Sequence, residues 1–167
     1  MSPLALPTPE ATERLGQLLA RHLPDRPAVM YLDGDLGAGK TTTARALLHA
    51  LGVTGAVRSP TYTLIERYDT ACGEVAHLDL YRIADPEELE YLALDELADR
   101  ARLWLVEWAR RGEGALPAPD LVLRLSVEGA GRRAELDATS PEGRRWAETV
   151  HHAMTVSEGN QDGPDPG

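Results

Sequence analysis

The sequence predicts an α/β fold, with one sheet that combines buried parallel strands and antiparallel hairpins. Three observations carry this expectation. The run Ala28-Val29-Met30-Tyr31-Leu32 has no polar alternation, as expected of a parallel strand covered on both faces. It leads through a glycine-rich segment into Ala44, Leu47, Leu48 and Leu51, which repeat at helical spacing. Further on, strand-like stretches come in pairs around polar turns, the pattern of hairpins.

Each element has its own signal. Thr8 and Pro9 read as the N-cap and first residue of a helix whose Ala11, Leu15, Leu18, Leu19 and Leu23 share one face, ending near Pro24. The strand at Ala28–Leu32 follows, then the glycine segment, then the second helix, which Gly52 stops. Tyr62 to Tyr68 and Val75 to Leu80 read as a hairpin around the polar turn Asp69–Gly73. Asp85, Pro86 and Glu87 open a short acidic helix reaching Leu92, and Arg102 to Glu107 is a second buried strand that ends in an acid. Leu121–Val127 and Arg133–Ala138 flank Gly129 and Gly131 as another hairpin, and Ser140 and Pro141 start a last helix carrying Trp146 and Val150. One phosphate-loop domain is expected over residues 1–150. Residues 151–167 are set apart as a C-terminal tail expected to be disordered, on the strength of the segment beyond about Ser157, SEGNQDGPDPG, which has almost nothing to bury.

Composition narrows the function. With 167 residues, 43% of them hydrophobic, the chain can fill one core. It contains no Phe, so Leu, Ala and Val must build that core with help from Trp and Tyr. A lone cysteine, Cys72, can form no internal disulfide, and no stretch reads as a signal peptide or membrane span. A cytoplasmic protein without a membrane partner is expected. The formal net charge of -10 opposes direct grip on nucleic acid, whose affinity rests on Lys and Arg displacing counterions. Sixteen of the 17 basic residues are Arg, and the single Lys is Lys40. Ammonium and guanidinium are not interchangeable where geometry is tight, so this position is singled out.

Lys40 belongs to Gly34-Asp35-Leu36-Gly37-Ala38-Gly39-Lys40-Thr41, which fits the eight-position phosphate-loop pattern and lies between a strand and a helix, as the motif requires. The glycines let the backbone curl so that successive N–H groups face phosphate oxygens, and the helix start adds its positive dipole end. Lys40 would reach the outer phosphates, Thr41 would ligate magnesium, and Thr42 continues the cradle. Such a magnesium ion needs an acid at the end of a neighbouring buried strand, and Glu107 supplies one. Asp79, after Val75–Leu78, is a second candidate, for the metal shell or for orienting water. In Ser59-Pro60-Thr61-Tyr62-Thr63, Thr61 is a candidate for the terminal phosphate, although a strand entry with Pro60 as a rigid turn explains the same residues. Trp108 fits either core or partner surface, and His77 reads as structural.

The segments GDLGAGKTT at 34–42, SPTYTL at 59–64, HLDLYR at 77–82, DPEELE at 85–90 and VEW at 106–108 together resemble TsaE, the bacterial ATPase of tRNA threonylcarbamoyladenosine biosynthesis. The likeness runs in order from about residue 4 to residue 140. It implies a P-loop NTPase-like three-layer fold with a mixed, partly antiparallel sheet. It also implies a protein that serves the TsaB and TsaD pair, in which TsaD transfers the threonylcarbamoyl group to adenosine 37 of tRNAs reading ANN codons while ATP hydrolysis sustains turnover. Contact with tRNA would be indirect. By matching motif, Lys40 and the loop would bind the phosphates of ATP, Thr41 and Glu107 would hold Mg2+, and Asp79 would support hydrolysis. Arg132, and Pro9 within Thr8–Glu10, are similar to the family's adenine-side contacts. Arg82 is the one candidate for a built-in arginine finger, so low intrinsic activity completed by partners is expected. The alternative is a P-loop kinase acting on a small molecule, which would need an acceptor pocket and a basic lid.

Overall fold

In the computed structural model, which describes residues 1–158, seven strands form one sheet. They are β1 (Leu4–Leu6), β2 (Ala28–Asp33), β3 (Ile65–Thr70), β4 (Gly73–Asp79), β5 (Ala101–Glu107), β6 (Leu121–Glu128) and β7 (Gly131–Ala138). The spatial order is β1-β7-β6-β2-β5-β4-β3. The inner four, β6, β2, β5 and β4, run parallel, whereas β3, β7 and β1 each pair antiparallel with their neighbour. The sheet is therefore mixed and partly antiparallel, as expected of the fold class.

Helices α1 (Pro9–Arg21), α2 (Lys40–Ala50) and α4 (Pro141–Glu158) cover one face. Their Leu15, Leu19, Leu47, Leu48 and Trp146 close a core against Met30, Leu32, Leu103 and Leu105. The opposite face is covered more thinly, by the 3₁₀ segment Pro86–Leu92 and by α3 (Leu94–Arg100), over Ala76, Leu78, Trp104 and Val106. Val29 and Tyr31 of β2 pack on this second side and stay half-buried, which is why β2 shows no polar alternation. No helix among the described residues is long and apolar enough to cross a membrane.

Several expectations shift. The strand expected from Tyr62 starts at Ile65, because Leu64 adopts a positive φ of 67° and its N–H closes a turn on the Pro60 carbonyl at 2.8 Å. Pro86–Leu92 is a 3₁₀ helix, capped by Asp85, whose side chain accepts from Glu87 N–H. β1 and α3 have no counterpart in the sequence reading. β1 is three residues long and gains its order from pairing with β7, a contact that local propensity does not encode. The boundary expected after residue 150 falls inside α4, where Met154 is buried in the core. The rest of the expected tail, 159–167, lies outside the described residues.

Asp120 ties the start of β2 to α4. Its Oδ2 accepts from Val29 N–H at 2.9 Å and its Oδ1 from the Ser140 hydroxyl at 2.7 Å. Removing a carboxylate that satisfies partly buried donors costs about 2 kcal/mol. Asp120→Ala is therefore expected to lower the urea midpoint correspondingly, with nucleotide affinity unchanged; an unaltered midpoint would show that the clamp contributes nothing.

Candidate functional site

The carboxyl ends of parallel strands are where open α/β sheets present ligand sites, and here three neighbouring strands end in acids. Asp33 ends β2, Asp79 ends β4 and Glu107 ends β5. The register pairs Asp79 with Glu107 and Leu32 with Glu107, so residues 28 and 75 positions apart become neighbours. Side chains alternate along a strand. His77 and Asp79 therefore lie on the face of β4 that carries Val75, and Glu107 on the face of β5 that carries Leu103 and Leu105, the side covered by α2.

The phosphate loop connects β2 to α2 over these strand ends. Gly34 has φ 152°, and a Cβ there would stand 2.4 Å from the Leu125 carbonyl oxygen, so the loop can leave β2 only with glycine. Gly39 caps α2 in the left-handed region at φ 108°, which turns the chain into the helix beginning at Lys40. Gly37, Gly39, Leu36, Lys40, Thr41 and Thr42 line a cleft of about 460 Å³. The same cleft takes in Asp79, Glu107, Thr61 and Ser59 on one side, and Pro9, Thr8 and Arg132 on the other. Gly34 and Asp35 border a separate hollow, and Ala38 is buried in the core.

Lys40 is 5% exposed, and its Nζ has no hydrogen-bond partner among the described residues. Instead it lies 4.0 Å from the centroid of the Trp108 ring. Burial pushes the ammonium below its ordinary value, while Glu107, Asp79, Asp33 and Asp35 pull it back upward. A buried cation without a hydrogen-bond acceptor at a helix N-terminus has the surroundings that suit an anionic oxygen.

The two acids differ in their partners. Asp79 is 4% exposed; its Oδ2 accepts from the Thr61 hydroxyl at 3.1 Å and from Ser59 at 3.4 Å, and its Oδ1 from Tyr81 N–H at 3.0 Å. Glu107 is 2% exposed and bonds through Oε2 to His77 Nε2 at 2.8 Å. Among the described residues no three His, Cys, Asp or Glu side chains form a metal cage. Buried carboxylate oxygens of this kind are donors that suit a hard cation such as magnesium, which commonly keeps waters and shares phosphate oxygens.

On the other side, Arg132 reaches the loop: its Nε donates to the Gly37 carbonyl at 3.1 Å. Arg82 does not join the cleft and stacks 4.1 Å over the exposed Tyr62 ring. Trp108 was open to a core or a surface role in the sequence; it stands between Lys40 and Tyr81, whose ring centroid is 5.0 Å away. It has positive φ, 56°, so the chain turns sharply as it leaves Glu107. Ser59 carries no signal in the sequence beyond its place in the loop segment 59–63. The period-two spacing of His77 and Asp79 was the available signal that those two share a face.

The family model described as "Threonylcarbamoyl adenosine biosynthesis protein TsaE" matches residues 6–135. A tRNA threonylcarbamoyladenosine biosynthesis protein TsaE from Haemophilus influenzae is 39% identical over 132 residues, covering 79% of this chain and 84% of that protein. One of the same description from Bacillus subtilis is 39% identical over 126 residues, covering 75% and 77%. Among solved structures, Bacillus subtilis YdiB superposes with a TM-score of 0.72 at 28% identity, over 94% of this chain and 95% of that one.

Proposed function

The chain belongs to the TsaE family of threonylcarbamoyl adenosine biosynthesis proteins, and from that premise we propose that it is a magnesium-dependent ATPase. In this reading it sustains turnover of a TsaB–TsaD transferase acting on adenosine 37 of tRNAs reading ANN codons. The observation that carries the ATPase reading is Lys40: the chain's single side-chain amine is buried at the start of α2, without a hydrogen-bond acceptor among the described residues, in the cleft that also holds Asp79 and Glu107. Membership of this family favours the reading over a small-molecule kinase.

Each residue has a role that its position supports. The backbone of residues 34–42 and the Lys40 ammonium bind the phosphates of ATP. Thr41 and Glu107 hold magnesium, and Asp79, itself fixed by Thr61, Ser59 and Tyr81 N–H, orients the attacking water. Magnesium, when bound, neutralises charge developing on the phosphate oxygens. Pro9 and Arg132 bound the base end of the cleft, and the Arg132 contact to Gly37 ties that end to the loop.

The net charge of -10 favours contact with tRNA through the partner proteins, in the cytoplasm, over direct binding. Arg82 is held on Tyr62, away from the cleft lining, so the cation that completes catalysis comes from a partner. Hydrolysis by the isolated chain is expected to be slow and to rise about tenfold or more when TsaB and TsaD are added. Steady-state phosphate release with and without the two proteins measures this, together with a pull-down with and without ATP. Equal rates would remove the partner-completed site, and failure to bind ATP at all would remove the ATPase reading.

A further inference from the structure

Below the two acids, His77 sits where the sheet face is otherwise apolar. Its neighbours on that face, Val75, Leu103 and Leu105, are fully buried, and His77 is itself 0% exposed. A hydrophobic residue of similar volume would fill this layer without the cost of desolvating an imidazole. The ring makes one hydrogen bond, Nε2 to Glu107 Oε2 at 2.8 Å, and its buried Nδ1 has no partner among the described residues. It is thus not part of a polar network that satisfies the core. Its single bond goes to a carboxylate that lines the cleft.

We propose that His77 is the positioning residue of Glu107, holding the carboxylate in the orientation that receives magnesium; this rests on the reading of Glu107 as a magnesium ligand. A carboxylate can only accept, so Nε2 carries the hydrogen and donates it. The terminal torsion of a glutamate is broad and two-fold, and a fixed donor at Oε2 selects one plane for the group. β4 supplies the rigidity: the parallel pairing of Asp79 with Glu107 and of His77 with Leu105 sets the imidazole one step behind the strand end. The same strand therefore places the water-orienting acid and the group that aims the metal-binding acid. Partners of this kind, one bond removed from a metal, orient its ligands.

The test compares two amides that differ in reach. In His77→Gln the side-chain N–H₂ extends to about where Nε2 lies, whereas in His77→Asn it falls short. Mg2+ is titrated calorimetrically into the full chain saturated with a non-hydrolysable ATP analogue, and analogue affinity is measured separately in EDTA. The Asn variant is expected to lose about 10- to 100-fold in Mg2+ affinity, as when the second partner of a metal ligand is removed. The Gln variant is expected to stay near the wild type, and both should bind the analogue normally in EDTA. Equal Mg2+ affinity in the two variants, or unfolding of both in a thermal scan, would overturn the proposal in favour of a packing role. A wild-type chain whose analogue complex takes up no Mg2+ would overturn the metal reading itself, and this inference with it.

Discussion

Lys40→Arg is expected to lower ATP affinity by ~100-fold or more, about 2.7 kcal/mol, while the thermal unfolding midpoint stays near that of the wild type. The charge survives this exchange, so the loss must come from geometry. An ammonium is a compact charge on a flexible stem, able to turn its three donors to whichever oxygens lie at the end of the loop. A guanidinium is planar and larger, and its fork needs room that this position lacks. Nζ is already 4.0 Å from the Trp108 centroid and 95% of the residue is covered, with Gly37 and Gly39 curling around it. Arginine would have to displace the ring or the loop. Calorimetric titration of ATP decides the matter, and complementation of tRNA modification in cells gives the functional counterpart. Near-normal binding by the arginine variant would mean that the lone lysine reflects compositional drift toward Arg and not phosphate chemistry.

Glu107→Gln is expected to cut magnesium-dependent hydrolysis on the order of 10²- to 10³-fold, while ATP affinity in EDTA changes little. The amide is chosen because it keeps the volume and an oxygen able to accept from His77 Nε2, whereas alanine would leave a buried donor unpaired and confuse lost chemistry with lost stability. Thr41→Ala is expected to act in the same direction with a smaller loss, since the hydroxyl is one of two protein contacts proposed for the ion. Hydrolysis by the Gln variant at the wild-type rate would remove Glu107 from the metal site. A large drop in its unfolding midpoint would instead mark the His77–Glu107 pair as a packing element.

What was legible in the sequence was local. Eight consecutive residues from Gly34 to Thr41, preceded by an apolar strand and followed by helical periodicity, specify a phosphate loop because curling backbone, helix start and lysine are all neighbours in the chain. The hairpin β6–β7 was equally legible, since its strands and turn are contiguous, and so was the acid ending the run at Glu107. The order of the strands was decided by tertiary structure. A period-two pattern says which side chains share a face of a strand; it does not say which strand pairs beside it or in what register. The parallel pairing of β4 with β5 alone brings His77 and Asp79 to Glu107, across about 30 residues of intervening chain. The positive φ of Leu64 and Trp108, neither of them glycine, likewise belongs to the assembled fold: one moves the start of β3 and folds Thr61 onto Asp79, the other turns an indole over Lys40. Left-handed backbone at a bulky residue is unfavourable locally and persists because surrounding packing overrides it, so composition and periodicity carry no trace of it.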